Sequence, residues 1–388
     1  MKKTLLLALV LCLLLPGGSF AADSPEPIKI GAIFSVTGSA SWLGEPERNT
    51  VKMLEAEINA AGGINGRPLE VIVEDTAGLE PNAINAVKKL INKDQVVAII
   101  GPSRSGTTMA VKPIVEESGM PLISCAAAES IVNPLAQWVF KTPQKDNDAA
   151  IRIFEHMQSK GITKIAIITG TTGFGAAGRE QLKKYAPENG IEIIADETYG
   201  PADTSMEAQL TKVKGTGAQA IVNWSIVPAQ VIVAKNMRQL GMTIPLYQSH
   251  GFGNPKYAEA CGEAGAGIIF PAGRLLVVDT LEDSNPQKAV LAKYKADYEN
   301  QFKDQVSTFG GHAYDALWLV VKAIEEVGTD KEKIREHLEN TKGFVGTGGV
   351  FNFSPEDHCG LQKDAFEMIA VKDGKFVALS SITVASEK

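Results

Sequence analysis

The sequence predicts an α/β protein with two lobes, each built on a parallel sheet that has helices on both faces. Apolar runs typical of buried strands alternate with amphipathic helical patterns from residue 28 to about residue 330, which is the order that parallel sheets require. The chain has 388 residues, more than one ordinary domain needs and enough for two hydrophobic cores. A break at Lys141-Thr142-Pro143 separates two such series of strands and helices.

The composition is typical of a soluble globular protein, because 44% of the residues are hydrophobic and 21% are charged. The formal net charge is −7, which argues against a nucleic acid or an anionic membrane surface as a partner. No basic tract in the sequence contradicts this.

Residues 1–21 predict a secretory signal peptide. Lys2 and Lys3 precede the apolar run 5–15, and small residues lead to a cleavage site near Ala21. The run is shorter than the ~20 residues that span a bilayer, and no later segment is long and apolar enough to do so. We expect an exported, periplasmic protein without direct membrane insertion.

The first series predicts strands separated by single helices. A polar loop, residues 35–46, follows the first strand and carries Trp42. The next helix has Val51, Leu54 and Ile58 on one face. The predicted strands are residues 28–34, 69–74 and 96–100 and a run that begins at 122–124, and the first two predicted helices are residues 47–60 and 81–93.

The second series repeats this order and is followed by two long amphipathic helices, residues 286–302 and 309–327. Short strands are predicted in the tail at 350–353 and 366–371. The predicted strands of the second series are 164–169, 191–197, 220–223, 245–248 and 267–270, and its predicted helices are 147–160, 176–187, 205–214 and 228–240.

The loop after strand 96–100 is the strongest candidate site in the first series. Ligands of open α/β sheets lie at the carboxyl ends of the strands, and a helix start offers free backbone N–H groups and a partial positive charge. A carboxylate could be held there by main-chain donors and hydroxyls, with a full charge from Arg104. In the alternative interpretation, Ser105 or Thr107 only caps the helix.

Residues 173–178, Gly-Phe-Gly-Ala-Ala-Gly, match the dinucleotide-binding fingerprint, and Asp196 follows where a ribose-binding acid would stand. An exported NAD-binding oxidoreductase that uses the Gly173–Gly178 loop is therefore an alternative. Against it, Gly170-Thr171-Thr172 intervene between the strand and the first fingerprint glycine. An export signal also argues against a diffusible nucleotide cofactor.

The sequence shows no spacing typical of an active site or a metal site. A hydrolase that uses His250 with Ser105 stays open as an alternative, but no Gly-x-Ser-x-Gly elbow is present. We expect no catalysis, no cofactor and no metal. One disulfide, such as Cys261 with Cys359, and three buried thiols that include Cys125 are equally compatible with the sequence.

Four motifs, in order, resemble the periplasmic solute-binding proteins of branched-chain amino-acid-type ABC transporters. They are residues 28–78 with the Thr-Gly pair, the INAAGGINGR turn and Asp75, then VVAIIGPSRSGTTMAVKPIVEESGMPLISCAAA at 96–128, TTGFGAAG at 171–178 and AYDAL at 313–317. The resemblance covers nearly all of residues 28–375. It implies the type I periplasmic-binding fold, in which two Rossmann-like lobes with parallel sheets are joined by a three-strand hinge and close on a ligand.

The resemblance also implies where the chain crosses between the lobes, near residues 142, 272 and 346. Lobe one is then 23–143 plus 273–345, and lobe two is 144–272 plus 346–388. The implied partner is a membrane permease of an ABC importer, and we expect a monomer. A ligand-sensing protein of the same fold is an alternative function.

The resemblance places the ligand site residue by residue. It implies that Ser105 binds a carboxylate with backbone donors at Ser103 and Ala126. Trp42 is the best match to an aromatic contact whose usual position is now Leu43. The full set of implied ligand-binding residues is Trp42, Ser103, Arg104, Ser105, Ala126, Ala127, Ala128, Phe174, Trp224, Ile226, His250 and Phe309.

Three departures from the family pattern bear on the ligand. Ala128 stands where amino-acid binders usually carry Thr, Arg104 stands beside the anchoring Ser, and His250 stands where they carry the acid that holds the ammonium group. Burying an ammonium without an anionic partner is costly. These departures favour a carboxylate without a free ammonium, such as an aromatic or keto acid, over leucine or valine, unless Glu129 or Asp203 supplies the acid.

Overall fold

The structure is a computed structural model that describes residues 25–381, so the predicted signal peptide lies outside the described residues. The strand pattern predicted from the apolar runs is present. The strands are β1 (Ile28–Phe34), β2 (Leu69–Asp75), β3 (Ala98–Ile100), β4 (Leu122–Ser124), β5 (Val139–Lys141), β6 (Lys164–Gly170), β7 (Glu192–Tyr199), β8 (Ala220–Trp224), β9 (Leu246–Gln248), β10 (Ile269–Ala272), β11 (Lys342–Val345), β12 (Val350–Asn352), β13 (Glu367–Lys372) and β14 (Lys375–Ala378).

The strands form two main sheets and one hairpin. The first sheet has the order β2-β1-β3-β4-β5 and is parallel throughout. The second has the order β14-β13-β10-β9-β8-β6-β7, in which β13 and β14 form an antiparallel extension of an otherwise parallel sheet. Strands β11 and β12 pair with each other. The α/β class with two parallel-sheet lobes is confirmed.

The helices cover both faces of the sheets, as such sheets require. The first helix begins six positions earlier than the predicted residue 47, because Pro46 lies inside the helix and does not precede it. The helices are α1 (Ser41–Ala60), α2 (Glu80–Lys89), α3 (Ser105–Ser118), α4 (Asp146–Ser159), α5 (Gly173–Tyr185), α6 (Glu207–Lys214), α7 (Gln230–Gln239), α8 (Pro255–Cys261), α9 (Lys288–Phe302), α10 (Thr308–Val327) and α11 (Lys331–Glu339).

Two hydrophobic cores define the two lobes. The first sheet packs with α10 and α11 in one core, and the second sheet packs with α4, α5 and α7 in the other. Residues Phe351, Phe353 and Leu361 belong to the first core, and the change of core falls between Ala365 and Phe366. The expected placement of residues 346–365 in lobe two therefore differs from the packing, because the hairpin covers the first sheet before the chain enters β13.

Three chain segments pass close together between the lobes, near Gln144, Gly273 and Gly348. The Gln144 Nε2 donates to the Gly348 carbonyl at 2.8 Å. The buried Asp315 carboxylate accepts from the Thr347 and Gly348 backbone N–H groups at 2.5 and 2.7 Å and from the Thr347 hydroxyl at 3.0 Å. Asp315 thus fixes the segment 347–348 to α10.

The cysteine alternatives are decided by the structure. Cys125, Cys261 and Cys359 are all free and buried, so the disulfide between Cys261 and Cys359 is wrong and the interpretation as three buried thiols is confirmed. Within residues 25–381, no helix is long and apolar enough to cross a membrane.

Candidate functional site

A narrow cavity of about 20 Å³ lies between the two lobes, at the carboxyl ends of the strands. The parallel register explains why it forms there: β1, β3 and β4 are neighbours, so the loops that follow them meet at one edge of the sheet. The cavity is lined by Leu43, Ser103, Ser105, Cys125, Ala126, Ala127, Phe309 and His312 of the first lobe, Phe174, Ile226, His250 and Gly251 of the second, and Pro143 between them.

The first-lobe wall offers hydrogen-bond donors. Ser105 begins α3 and is only 2% exposed. Its Oγ accepts from the Ala128 N–H at 3.3 Å, so its own hydroxyl proton is left to donate. Among the described residues, the backbone N–H groups of Ser103 and Ala127 have no hydrogen-bond acceptor. The start of α3 therefore presents donors and a partial positive charge to the cavity.

One of the two predicted backbone donors is committed elsewhere, and the other belongs to a residue whose hydroxyl is engaged. The Ala126 N–H donates to Ser124 Oγ at 3.1 Å, so the expected backbone donor moves one residue on, to Ala127. The Ser103 hydroxyl donates to Glu47 and accepts from the Ser35 N–H at 2.9 Å. Burial raises the pKa of the Glu47 carboxyl well above its usual value, although the hydrogen bond from Ser103 opposes this. Sequence reasoning missed Glu47, because only the apolar face of the helix that contains Glu47 was considered.

Arg104 does not line the cavity, contrary to its expected role as a second anchor for the ligand. Its Nη1 donates to the Gly78 carbonyl at 2.5 Å, so the guanidinium holds the loop between β2 and α2. Burial lowers the pKa of Arg104, with an opposing contribution from Glu80. The sequence alone does not show that the Arg104 side chain turns to Gly78.

Trp42 also lies outside the cavity, and Leu43 takes the expected position. The Trp42 ring packs edge-on against Tyr257 of the second lobe, with 5.1 Å between ring centroids. Pro46 has no N–H to give to the Trp42 carbonyl, which lies one turn before it in α1. Asn254 Nδ2 of the second lobe donates to this carbonyl at 2.8 Å, so Trp42 joins the two lobes.

The second-lobe wall is aromatic. Phe174 and Ile226 line the cavity, whereas Trp224 is fully buried behind them. The Trp224 ring centroid lies 5.8 Å from that of Phe174 and 5.5 Å from that of His250. Trp224 therefore supports the wall and does not form its surface.

The fingerprint glycines of α5 are explained by close packing. A Cβ on Gly175 would lie 1.9 Å from the Gly170 carbonyl oxygen, and a Cβ on Gly178 would lie 2.1 Å from Trp224 Nε1. Asp196, the expected ribose-binding acid, accepts two hydrogen bonds from Arg179, each at 2.7 Å. These contacts explain Gly175, Gly178 and Asp196 by packing and hydrogen bonds within the lobe, without a nucleotide.

The starts of α3 and α5 face each other across the cleft. A Cβ on Gly173 would lie 3.0 Å from the Gly106 backbone nitrogen and 3.1 Å from the Gly106 Cα. The two lobes are therefore in contact here, and a side chain at position 173 would crowd this contact. Two positive helix ends so close together favour an anion between them.

We predict that Gly173→Ala weakens ligand binding about 5- to 150-fold. The added methyl group overpacks a contact that forms only when the lobes meet, and overpacking costs about 1–3 kcal/mol. The melting temperature without ligand should not change, since each lobe keeps its core. Calorimetric titration and thermal unfolding measure the two effects. Gly215→Ala is the matched control, because its Cβ would make only an ordinary 3.5 Å contact. Equal affinity in Gly173→Ala would contradict a closed form with this contact.

His250 lies in an aromatic cage in the cavity wall. The rings of Phe174, Trp224 and Phe366 surround it, and their centroids lie 5.3, 5.5 and 5.6 Å from the centroid of the imidazole ring. Its Nε2 lies 3.4 Å from Asp146 Oδ1, although the geometry is not that of a hydrogen bond. Neither ring nitrogen bonds to Ser105, so the structure lacks the relay that the hydrolase alternative needs.

The structure places no carboxylate of the described residues in the cavity wall. Asp203 is exposed and accepts from the Gly200 N–H at 2.8 Å, and Glu129 faces Asn133. Neither supplies the acid that the sequence left open. Two buried acids contact residues of the wall: Glu47 accepts from Ser103, and Asp146 lies beside His250.

Sequence reasoning also missed His312, which lines the cavity, and Lys141, which lies behind the Ala127 loop. Lys141 is fully buried, and its Nζ donates to the Ala127 carbonyl at 2.5 Å and to the Gln144 carbonyl at 3.4 Å. Among the described residues, no carboxylate forms an ion pair with it. The sequence did contain an indication, since a lysine ends the apolar strand Val139–Lys141. Lysine side chains are almost never fully buried unless they are paired.

Two parallel-sheet lobes that enclose a donor-lined cavity define a two-lobe ligand-binding protein. The profile of the family described as periplasmic binding protein matches residues 27–375. The chain belongs to this family.

Individual relatives agree with this assignment. The leucine-, isoleucine-, valine-, threonine- and alanine-binding protein of Pseudomonas aeruginosa is 28% identical over 338 residues, 86% of each chain. An extracellular ligand-binding receptor from Rhodopseudomonas palustris HaA2 has a TM-score of 0.85 and 25% identity, and the match covers 91% of this chain and 99% of that one. The branched-chain amino acid transporter substrate binding protein LivJ of Streptococcus pneumoniae, in complex with isoleucine, has a TM-score of 0.81 and 26% identity, covering 91% and 98%.

Proposed function

We propose that the protein is the exported solute-binding component of an ABC importer and that its lobes close on a small carboxylate ligand. The observation that supports this most strongly is the meeting of the α3 and α5 starts around a buried cavity with the free Ser105 hydroxyl proton. Charge-assisted hydrogen bonds in such an enclosed site are strong. Lys141 adds a buried positive charge behind the Ala127 loop.

The ligand that we propose carries a carboxylate and no free ammonium, as an aromatic or keto acid does. None of the described residues that line the cavity is Asp or Glu, so an α-amino group would be buried without a direct anionic partner. Leu43, Phe174 and Phe309 provide apolar surfaces for the body of such a ligand. The alternative is a branched-chain amino acid, which the names of the relatives favour.

A thermal-shift screen followed by calorimetric titration tests the ligand class. The panel contains leucine, isoleucine and valine beside benzoate, phenylpyruvate and 4-methyl-2-oxopentanoate. We expect stabilisation by one or more of the acids without ammonium and none by the amino acids. Micromolar binding of leucine, isoleucine or valine, with no binding of the acids, would restore the amino-acid interpretation.

Lobe closure and transport are tested separately from the ligand class. Small-angle X-ray scattering should show a smaller radius of gyration after a bound ligand is added, because the ligand stabilises the closed form. Uptake of the same ligand should depend on this protein and on a membrane permease. Binding and closure without any role in uptake would support the alternative of a ligand-sensing protein.

Ser105→Ala should weaken binding of the carboxylate by about 1–3 kcal/mol. This is the cost of losing one hydrogen bond to a charged group. This corresponds to a dissociation constant about 5 to 150 times larger. Calorimetric titration measures the change. Ser118→Ala, in the last turn of the same helix, is the control, because its hydroxyl donates only to backbone carbonyls of α3. An unchanged affinity in Ser105→Ala would mean that the carboxylate lies elsewhere.

A further inference from the structure

Two histidines face the cavity from opposite lobes, His250 from the second and His312 from α10 of the first. They are 7% and 6% exposed. Both ring nitrogens of His250 and Nδ1 of His312 are buried and have no hydrogen-bond partner among the described residues. We call these two side chains the imidazole pair.

Unpartnered buried nitrogens are costly for the fold. A polar group that is buried without a hydrogen bond destabilises the protein, and replacing it with an apolar group of similar shape is nearly neutral or stabilising. Leucine in place of His312 would remove this cost, whereas His250 also lies 3.4 Å from the buried Asp146 carboxylate. The unpartnered nitrogens of the imidazole pair therefore need an explanation, and a ligand that bonds to them is one.

The charged and titratable neighbours define what the imidazole pair can bind. Asp146 of α4 lies behind His250 at 3.4 Å, and Lys141 of β5 is turned towards the Ala127 and Gln144 carbonyls. Burial, the nearby His250 and Lys141 lower the pKa of His312 to about 3. His312 is thus a neutral imidazole at neutral pH, with one donor and one acceptor nitrogen.

We propose that the imidazole pair is a second polar subsite, which holds a keto or hydroxyl oxygen carried by the carboxylate ligand. Such an oxygen can accept one imidazole N–H from each lobe, so both hydrogen bonds form only when the lobes are together. Asp146 acts as a positioning residue, because it lies next to His250 Nε2 and orients the ring. This inference rests on the proposed carboxylate function and narrows it to oxo or hydroxy acids.

The first experiment compares acids that differ by one oxygen. Calorimetric titration would pair phenylpyruvate with 3-phenylpropionate, 4-methyl-2-oxopentanoate with 4-methylpentanoate, and 4-hydroxybenzoate with benzoate. In at least one pair we expect the oxygen-bearing acid to bind about 10-fold or more tightly, since a site built to bond an oxygen rejects the analogue without it. Equal affinities within every pair would overturn the proposal.

The second experiment removes one histidine. In His312→Leu the preference for the oxygen-bearing acid should fall to about 2-fold or less, while the melting temperature without ligand stays equal or rises, because an unpartnered polar group has been removed. His337→Leu, in the half-buried part of the distant helix α11, is the matched control and should keep the full preference. An undiminished preference in His312→Leu would contradict the assignment of His312.

His250 needs a different variant, because removing it alone leaves the Asp146 charge buried without its neighbour. The double variant Asp146→Asn with His250→Phe avoids this, and we expect it to lose the preference as well. The single variant Asp146→Asn should reduce the preference only partly if Asp146 orients His250. A double variant that keeps the preference would overturn the role of His250.

The outcomes separate this inference from the proposed function. If carboxylates bind but none of the pairs shows a preference, only the second subsite is wrong. If amino acids bind and none of the acids does, the proposed ligand class fails, and the imidazole pair has no oxygen to hold. Ser105→Ala adds a further distinction, since it should weaken both members of each pair equally.

Discussion

Asp315→Asn should lower the free energy of unfolding by about 2–3 kcal/mol. The substitution replaces one carboxylate oxygen, an acceptor, with an NH2 group, a donor, beside the buried N–H groups of residues 347 and 348. In the wild-type protein the two carboxylate oxygens accept from the Thr347 N–H, the Thr347 hydroxyl and the Gly348 N–H. The amide of Asn cannot satisfy all three. One buried backbone N–H near the crossing segments would then lack an acceptor.

The pH dependence gives this prediction a second readout. Burial raises the pKa of Asp315 from its usual 3.8 to about 7, and the hydrogen bonds from Thr347 and Gly348 oppose this only in part. A carboxyl whose folded-state pKa is raised binds more protons in the folded state, so its contribution to stability is full below pH 3.8 and is lost as the pH rises through about 7. The destabilisation by Asp315→Asn should therefore be larger at about pH 5 than at about pH 8.

Urea unfolding of both proteins at the two pH values measures the effect. Asp297→Asn is the control, since Asp297 is an exposed member of an ion pair with Lys293 and such pairs contribute about 1 kcal/mol or less. A difference between wild type and Asp315→Asn that is the same at both pH values would show that Asp315 titrates at its usual pKa.

Gly178→Ala should destabilise the second lobe by about 3 kcal/mol, the upper part of the range for overpacked cores. The added Cβ would lie 2.1–2.2 Å from three atoms of the Trp224 ring, and these are rigid ring atoms in a fully buried side chain. Trp224 would have to move, and with it the support of Phe174 and His250. Ligand affinity should fall together with stability.

Unfolding followed by tryptophan fluorescence would report the change. Ala177→Ser serves as the control on the same helix, because it alters a neighbouring, half-buried position and leaves Gly178 intact. If Gly178→Ala kept wild-type stability, the explanation of the fingerprint glycines by packing would be wrong. The NAD interpretation would then need to be considered again.

The elements most easily predicted were those with strong periodicity. The strand Ile28–Phe34 has the expected bounds, and the helix Thr308–Val327 differs from its predicted range by one residue. The helix Pro255–Cys261 and the strand Val139–Lys141 were not predicted, because seven or fewer residues carry too little periodicity to distinguish a helix or strand from a loop. The start of α1 was misplaced because Pro46 was interpreted as a helix boundary.

The candidate site shows a similar division. Ser105, Phe174, Ile226, His250 and Phe309 line the cavity as the resemblance implied, because each follows a strand or begins a helix at a sheet edge. Arg104, Trp42, Ala128 and Trp224 do not line it. Neighbouring residues at a helix start point in directions about 100° apart, so an alignment that is one position uncertain cannot tell Trp42 from Leu43.

The sequence alone determined the α/β class, the two lobes and the type of family, because strand and helix periodicity and ordered motifs are properties of local sequence. Only the tertiary structure decided which polar groups are satisfied. Glu47, Lys141, Asp146 and His312 are far apart along the chain, and only the fold buries these polar groups close to the cavity. Whether a hydroxyl, an amide or an imidazole remains free for a ligand depends on the hydrogen-bond partners that the fold brings next to it. The spacing of residues along the sequence does not show these partners, so the chemistry of the cleft could not be derived from it.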